Sequence, residues 1–211
     1  MTDDIYVAAF RHAAYAIARD SCAPAAVTAY AGAVAAARHR AQLEGTTLAC
    51  QLIAAMSTDP VTHAAAAEVG PFTMLTLSDW LTEVWDAVTE LAAEVVVPEL
   101  TESEQMYRRA TTELFAETDP NSGTATLAFA GALAVANVRW LAAGIDGLTD
   151  PAATAVIGAV LDEDPVAAAA HEGLAEATRA SLAMAVGNKW SAIMERVAVM
   201  EAVYAIESAA A

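Results

Sequence analysis

The sequence predicts an all-α protein, and we expect one single-domain bundle of about nine helices over residues 1–211. Alanine, the residue with the highest helix propensity, makes up about a quarter of the chain. Hydrophobic residues account for 57% of the sequence, whereas only 7 prolines and 10 glycines interrupt it. No segment shows the alternation of polar and β-branched residues that is typical of strands. The chain therefore has enough apolar material for a helical core.

Local signals mark where several of the helices begin and end. Asp is a good N-cap and Pro suits the first helical position, so an Asp-Pro pair is typical of a helix start. Thr101 and Glu104 have the spacing of a capping box. Gly45 and Gly70 stand where C-terminal caps are expected. The chain contains four Asp-Pro pairs, Asp59-Pro60, Asp119-Pro120, Asp150-Pro151 and Asp164-Pro165.

These signals, together with the apolar periodicity, give a series of helices joined by short connections. We expect the helix over 124–145 to lie near the centre and the hairpin 165–208 to pack against 76–97. Two short matches, Asp59-Pro60-Val61 with Asp164-Pro165-Val166 and Pro24-Ala25-Ala26 with Pro151-Ala152-Ala153, arise easily by chance in an Ala-rich chain. The predicted helices are 3–20, 24–44, 47–57, 60–69, 76–97, 102–117, 124–145, 151–162 and 165–187, with a last one over 189–208 that follows or continues its predecessor.

The charge of the chain argues against nucleic-acid binding. Its 27 acidic residues and 10 Lys or Arg give a formal net charge of −17, the opposite of the basic surface that neutralises phosphates. Residues 1–45 carry four acids and four arginines, so the whole excess lies in residues 46–211. The abundance of Ala, Val and Arg is typical of a high-GC bacterium such as an actinobacterium, or of its phage.

The sequence favours a cytoplasmic protein that does not span a membrane. Its acidic N-terminus lacks the basic region of a secretory signal. The apolar run 125–145 is long enough to cross a bilayer, but it is mostly Ala and contains Asn137 and Arg139. We therefore expect it to form a buried helix. Cys22 and Cys50 form neither a CxxC pair nor a cluster, and we expect buried free thiols.

Two predicted helices carry apolar residues at the alternating spacings of 3 and 4 that are typical of helix pairing. We call these two sets the apolar seams. Such a seam either packs inside the bundle or forms the interface of a homodimer, and the sequence leaves both open. The first seam consists of Leu77, Leu81, Val84, Val88, Leu91 and Val95, and the second of Trp190, Ile193, Val197, Met200 and Tyr204.

Opposite the first seam, the sequence places acidic residues at helical spacing with no cation among them. We call Asp79, Glu83, Asp86, Glu90 and Glu94 the acidic stripe. Like charges at these spacings repel one another, which weakens an isolated helix. The stripe is then either a solvated surface, a contact for a basic protein partner, or a site for Mg²⁺ or Mn²⁺ at its first four residues.

Three classes of function follow from these patterns. We expect a non-enzymatic acidic protein that self-associates as a homodimer and mediates protein–protein interaction, without a cofactor. One alternative is a binding module with an apolar small-molecule pocket lined by Trp80, Trp85 and Trp140. The other is a divalent-metal-dependent enzyme that uses the acidic stripe.

Overall fold

The protein is described here by a computed structural model that covers residues 2–119, 121–145 and 151–210. In this part of the chain every element is an α-helix, and there are eleven of them. The helices are α1 (Thr2–Asp20), α2 (Ala25–Glu44), α3 (Leu48–Thr58), α4 (Pro60–Glu83), α5 (Trp85–Glu94), α6 (Glu102–Thr118), α7 (Thr124–Ala143), α8 (Pro151–Glu163), α9 (Pro165–Gly173), α10 (Glu176–Asn188) and α11 (Trp190–Ala210). The all-α prediction is confirmed.

The prediction of about nine helices is close, but the breaks differ. The predicted helix 76–97 is divided at Val84, whose ψ of 8° interrupts the helical geometry, and it ends at Glu94. The predicted helix 165–187 is divided where Leu174 and Ala175 adopt extended ψ angles of 136° and 146°. The break at Val84 contains neither Gly nor Pro, so the sequence gives no local signal for it. The second break directly follows Gly173, the last residue of α9.

Conversely, α4 continues across a break that the sequence does signal. Gly70 has a φ of 71°, as expected of a glycine that ends a helical segment. Helical geometry resumes immediately at Pro71, a residue suited to the first turn of a helix. The segment 71–75, which we expected to be a connection, is therefore helical.

The predicted caps mostly form as expected. Asp59 and Asp164 accept hydrogen bonds from backbone N–H groups at the starts of α4 and α9. Thr101 and Glu104 form a reciprocal capping box at the start of α6. Gly45 ends α2 in the left-handed conformation. The other two Asp-Pro pairs fall partly on residues 120 and 150, which lie outside the described residues.

The core is centred on α2 and α7, which are buried along most of their length. Among the described helices, α7 is the one long and apolar enough to cross a membrane by length and composition, with a mean hydropathy of 1.4. α1 and α4 pack beside α2, and α5 packs on α1, while α6 and α10 pack beside α7. The segment 165–208 forms α9, α10 and α11, which pack mainly on α1, α2, α6 and α7, so its predicted packing against 76–97 is wrong. Cys22 and Cys50 are both exposed, which also corrects the sequence-based expectation.

Candidate interaction surface

The first apolar seam faces the core of the same chain. Leu81 and Val88 are buried, with exposures of 1% and 0%. The other four members, Leu77, Val84, Leu91 and Val95, are half-buried against this core. The surrounding helices are α1 and α2, so most of this seam is used inside the chain.

The second seam is internal only at its start. Ile193 and Val197 are buried beside α6, with exposures of 0% and 3%, and Met200 is half-buried. The Trp190 ring stacks on Tyr107 of α6 with centroids 5.2 Å apart. Arg196 forms a bidentate ion pair with Glu117 of α6, at N–O distances of 3.0 and 2.6 Å. Tyr204, by contrast, is 58% exposed.

Beyond Met200, the described side chains of α11 are not buried against any other described part of the chain. Every residue from 201 to 206 is exposed. Val199, Val203 and Ile206 are spaced 4 and 3 residues apart, which places them on one face of the helix. Their exposures are 63%, 49% and 70%, and we call them the α11 ridge. The sequence contained this spacing, but the periodicity of this helix was assigned to the second seam, which lies on the opposite face.

The three tryptophans proposed to line a pocket lie in different places. Trp85 stacks on Phe10 at 5.3 Å, and the Arg38 guanidinium lies 4.1 Å above its ring. Trp80 is half-buried against the same core. Trp140 belongs to a second cluster, where its Nε1–H donates to the Ala153 carbonyl over 3.3 Å. Because all three rings serve packing in two clusters, the structure does not bring them into one cavity.

The acidic stripe is exposed at all five positions. The break at Val84 assigns its first two residues to α4 and its last three to α5. None of the five carboxylates forms an ion pair with a described residue. In the described part of the chain, no group of three or more His, Cys, Asp or Glu side chains is arranged to hold a metal ion. The stripe is thus an exposed negative surface whose carboxylates form no ion pair with the described residues.

A cleft of about 890 Å³ lies between α4 and the α6–α7 pair, with His63 on its wall. Its other charged groups form hydrogen bonds within the protein. Arg109 donates to Glu113 over 2.8 Å, and Glu68 accepts a hydrogen bond from the backbone N–H and another, of 2.9 Å, from the hydroxyl of Thr124. Glu68 thereby caps α7, whose N-cap residue is a glycine without a side chain. The polar groups of this cleft therefore act in the fold.

Arg139 joins three helices, a role that sequence reasoning missed. Its guanidinium donates to Glu104 of α6 at 2.7 Å and to both carboxylate oxygens of Glu163 of α8 at 3.0 and 2.7 Å. The hydrogen bonds to Glu163 are the main cause of its raised pKa. Burial opposes ionisation of Glu104, but its hydrogen bonds with Arg139 and Thr101 lower its pKa overall.

A second polar cluster lies where α1, α6 and α9 meet. Arg108 donates to Asp164 at 2.6 Å, and the same carboxylate caps α9. Burial lowers the pKa of His12, an effect that nearby Arg108 reinforces and Asp164 opposes. Burial also raises the pKa of Tyr15 to about 12. Both groups are therefore held in their neutral forms at neutral pH.

Comparison with known proteins assigns neither a family nor a function to the chain. No protein family model matches the chain, and neither the characterised proteins nor the solved structures include one with significant similarity to it.

Proposed function

We propose that this protein is a non-enzymatic helical interaction protein that self-associates through the end of α11. The observation that carries the proposal is the exposed α11 ridge, on a helix whose residues 201–206 are all exposed in the described structure. A short isolated helix is marginal in water, and exposed apolar side chains in one row are typical of an interaction site. Pairing with another helix would both bury the ridge and stabilise the segment.

The partner that we propose for the ridge is a second copy of the chain. Between Val197 and Ala205 the helix carries one charged residue, Glu201, so two copies of the segment bring little charge together. Residues 201–210 extend about 15 Å at 1.5 Å per residue. This length exceeds the Debye length of about 8 Å at physiological salt, so it keeps the two acidic bodies largely screened from each other. A three-turn helix offers a small interface, and we expect a dissociation constant in the micromolar range.

The acidic stripe supports a second part of the same proposal, a contact with a basic protein partner. Its five carboxylates are exposed and form no ion pair with a described residue. Arginine or lysine side chains of a partner would relieve their mutual repulsion. This contact would weaken as salt increases, whereas self-association of two acidic chains would strengthen.

Native mass spectrometry and analytical ultracentrifugation of the purified protein test self-association. We expect a monomer–dimer equilibrium that shifts towards the dimer as NaCl rises from about 0.01 M to about 0.15 M, because the Debye length falls from about 30 to 8 Å. The double substitution Val203→Glu with Ile206→Glu should give a folded monomer. A monomer at all salt concentrations in the unmodified protein would refute the proposal.

The matched control adds the same charge on another face of the same segment. Ala198 and Ala205 are exposed and lie about 120° around the helix from the ridge. The variant Ala198→Glu with Ala205→Glu should keep the dimer. If both double variants weakened the dimer equally, the effect would come from charge alone, and the ridge would not be the contact.

Binding of a basic peptide tests the acidic stripe. A lysine-rich peptide titrated into the protein should bind at low salt and bind less tightly after Glu83→Gln with Asp86→Asn. Exchanging Glu201 and Glu176, which lie elsewhere, for Gln controls for the change in net charge. Equal losses in both variants would mean that the peptide responds to net charge and does not recognise the stripe.

A further inference from the structure

The order of the helices repeats halfway along the chain. The helices α1, α2, α3, α4 and α5 correspond, in this order, to α6, α7, α8, the α9–α10 pair and α11. α2 and α7 are both 20 residues long. Each ends at a left-handed glycine, Gly45 with φ and ψ of 65° and 28°, and Gly144 with 67° and 29°. We call residues 5–94 the first repeat and residues 102–199 the second repeat.

Equivalent residues make equivalent contacts in the two repeats. Trp85 starts α5 and stacks on Phe10 of α1 at 5.3 Å, with the rings inclined at 24°. Trp190 starts α11 and stacks on Tyr107 of α6 at 5.2 Å and 17°. The residues before these two tryptophans share the same unusual backbone, with φ and ψ of −96° and 8° in one repeat and −92° and 2° in the other.

The central helices repeat in sequence and in packing. Residues 29–37 read AYAGAVAAA and residues 128–136 read AFAGALAVA. The glycine in each segment accommodates a side chain from the preceding helix, since a Cβ at Gly32 would overlap Tyr15 and a Cβ at Gly131 would lie 3.0 Å from Thr112. These glycines therefore set the same close approach between neighbouring helices twice.

The buried positions of the two hairpins also correspond. Leu81 and Val186 are 1% and 3% exposed, and Val88 and Ile193 are both 0% exposed. Asp59 and Asp164 cap the helices that open these hairpins, and each is followed by Pro and Val. Of the two sequence matches noted above, the Asp-Pro-Val pair thus reflects equivalent structure. The Pro-Ala-Ala pair does not, because Pro24 precedes α2 and Pro151 begins α8.

The contacts between the repeats are reciprocal. α1 and α2 of the first repeat pack on α9 of the second, and α6 and α7 of the second pack on α4 of the first. α2 and α7 also pack on each other. Reciprocal contact of this kind is the mark of a two-fold, isologous interface, whereas stacked repeats of a solenoid contact neighbours through two different surfaces.

We propose that the chain is a tandem duplication of one helical unit, and that the surface between the repeats is a two-fold interface whose natural partner is a second copy of that unit. The protein is then a single-chain homodimer. This inference is independent of the proposed self-association, since it concerns contacts within the chain and does not use the end of α11.

The two-fold relation makes a geometric prediction about a circular permutant. Seven residues, 95–101, join the end of α5 to the start of α6, and they span at most about 25 Å. By two-fold symmetry the same seven residues, VVVPELT, should join position 199 to position 5. We expect a chain of residues 102–199, VVVPELT and 5–94 to fold with a Tm within about 10 °C of the matched chain 5–199, because the loop entropy is nearly unchanged.

A second permutant carries a flexible Gly-Ser connection of about 20 residues instead, which reaches much farther. Circular dichroism, size-exclusion chromatography with light scattering, and thermal unfolding compare the three chains. A folded monomer with the seven-residue connection supports the two-fold relation. Folding of the Gly-Ser permutant alone would overturn it, because positions 199 and 5 would then be too far apart.

If neither permutant folds, hydrogen exchange of the unmodified protein tests whether the two repeats are equivalent. The protection of amides in α1, α2 and α5 should then match that in α6, α7 and the start of α11 at equivalent positions. Unrelated protection patterns in the two repeats would overturn the proposal.

Discussion

The ion pair between Arg108 and Asp164 offers a direct test of what stabilises the second repeat. The Asp164 side chain is 11% exposed and that of Arg108 is 33% exposed, so the pair lies between a surface and a buried ion pair. Breaking it should cost about 2 kcal/mol, between the 0–1 kcal/mol of exposed pairs and the 3–5 kcal/mol of buried ones. Losing the cap of α9 adds about 1 kcal/mol.

Asp164→Ala removes both interactions, and we expect a total loss of about 3 kcal/mol. At about 2–4 °C per kcal/mol for a chain of this length, Tm should fall by roughly 6–12 °C. Asp164→Asn keeps an oxygen that can accept the two backbone N–H groups, so it should lose only the contribution of the ion pair. Thermal and urea-induced unfolding followed by circular dichroism measure both variants.

A double-mutant cycle isolates the pair itself. Arg108→Met and Asp164→Asn, alone and together, should show a coupling free energy of about 1–2 kcal/mol, because each single variant leaves one charged or polar group without its partner. Additivity of the two substitutions within about 0.5 kcal/mol would refute the argument, since two residues that do not interact give additive effects.

Three further predictions concern stability. Gly158→Ala should raise Tm by roughly 1–4 °C, since Gly158 lies within α8 with nothing within 4 Å of an added Cβ. Glu83→Gln with Asp86→Asn should leave the free energy of unfolding unchanged or raise it by a few tenths of a kcal/mol, because both carboxylates are exposed and repel their neighbours. A loss above about 1 kcal/mol would mean that the stripe has a structural role. Burial lowers the pKa of His12, so the unfolded chain takes up its proton first as pH falls below about 6.5, and stability is lost. His12→Gln should reduce the loss of stability between about pH 7 and pH 5, measured as the urea midpoint at each pH. An unchanged pH dependence would show that His12 does not contribute.

The helix starts could be predicted from the sequence because their causes are local. Asp59, Asp164 and the Thr101–Glu104 pair cap the residues that follow them within a turn. The break at Val84 could not be predicted, since neither Gly nor Pro marks it. Trp85 directly after it stacks on Phe10, 75 positions earlier in the chain, so the break accompanies a distant contact.

The candidate surfaces likewise differ in how far the sequence predicts them. The acidic stripe was evident from spacing, because charged residues stand out in a chain in which 18% of residues are charged. The α11 ridge was missed because the same helix carries the second seam on its opposite face, and burial alone separates Val197 from Val199. The repeat was missed for a related reason, since matches between alanines carry little information.

A duplicated unit can change the outer surface of one half while the other half stays as it was, which a homodimer of identical chains cannot do. The two outer hairpins illustrate this freedom. Where the first repeat exposes Asp79 and Glu94, the second exposes Met184 and Val199 at the equivalent positions. The interior residues beneath them have kept their apolar character. The interior of the molecule is therefore symmetric, whereas its two outer surfaces differ in chemistry. One polypeptide can thus present unlike surfaces to two different neighbours.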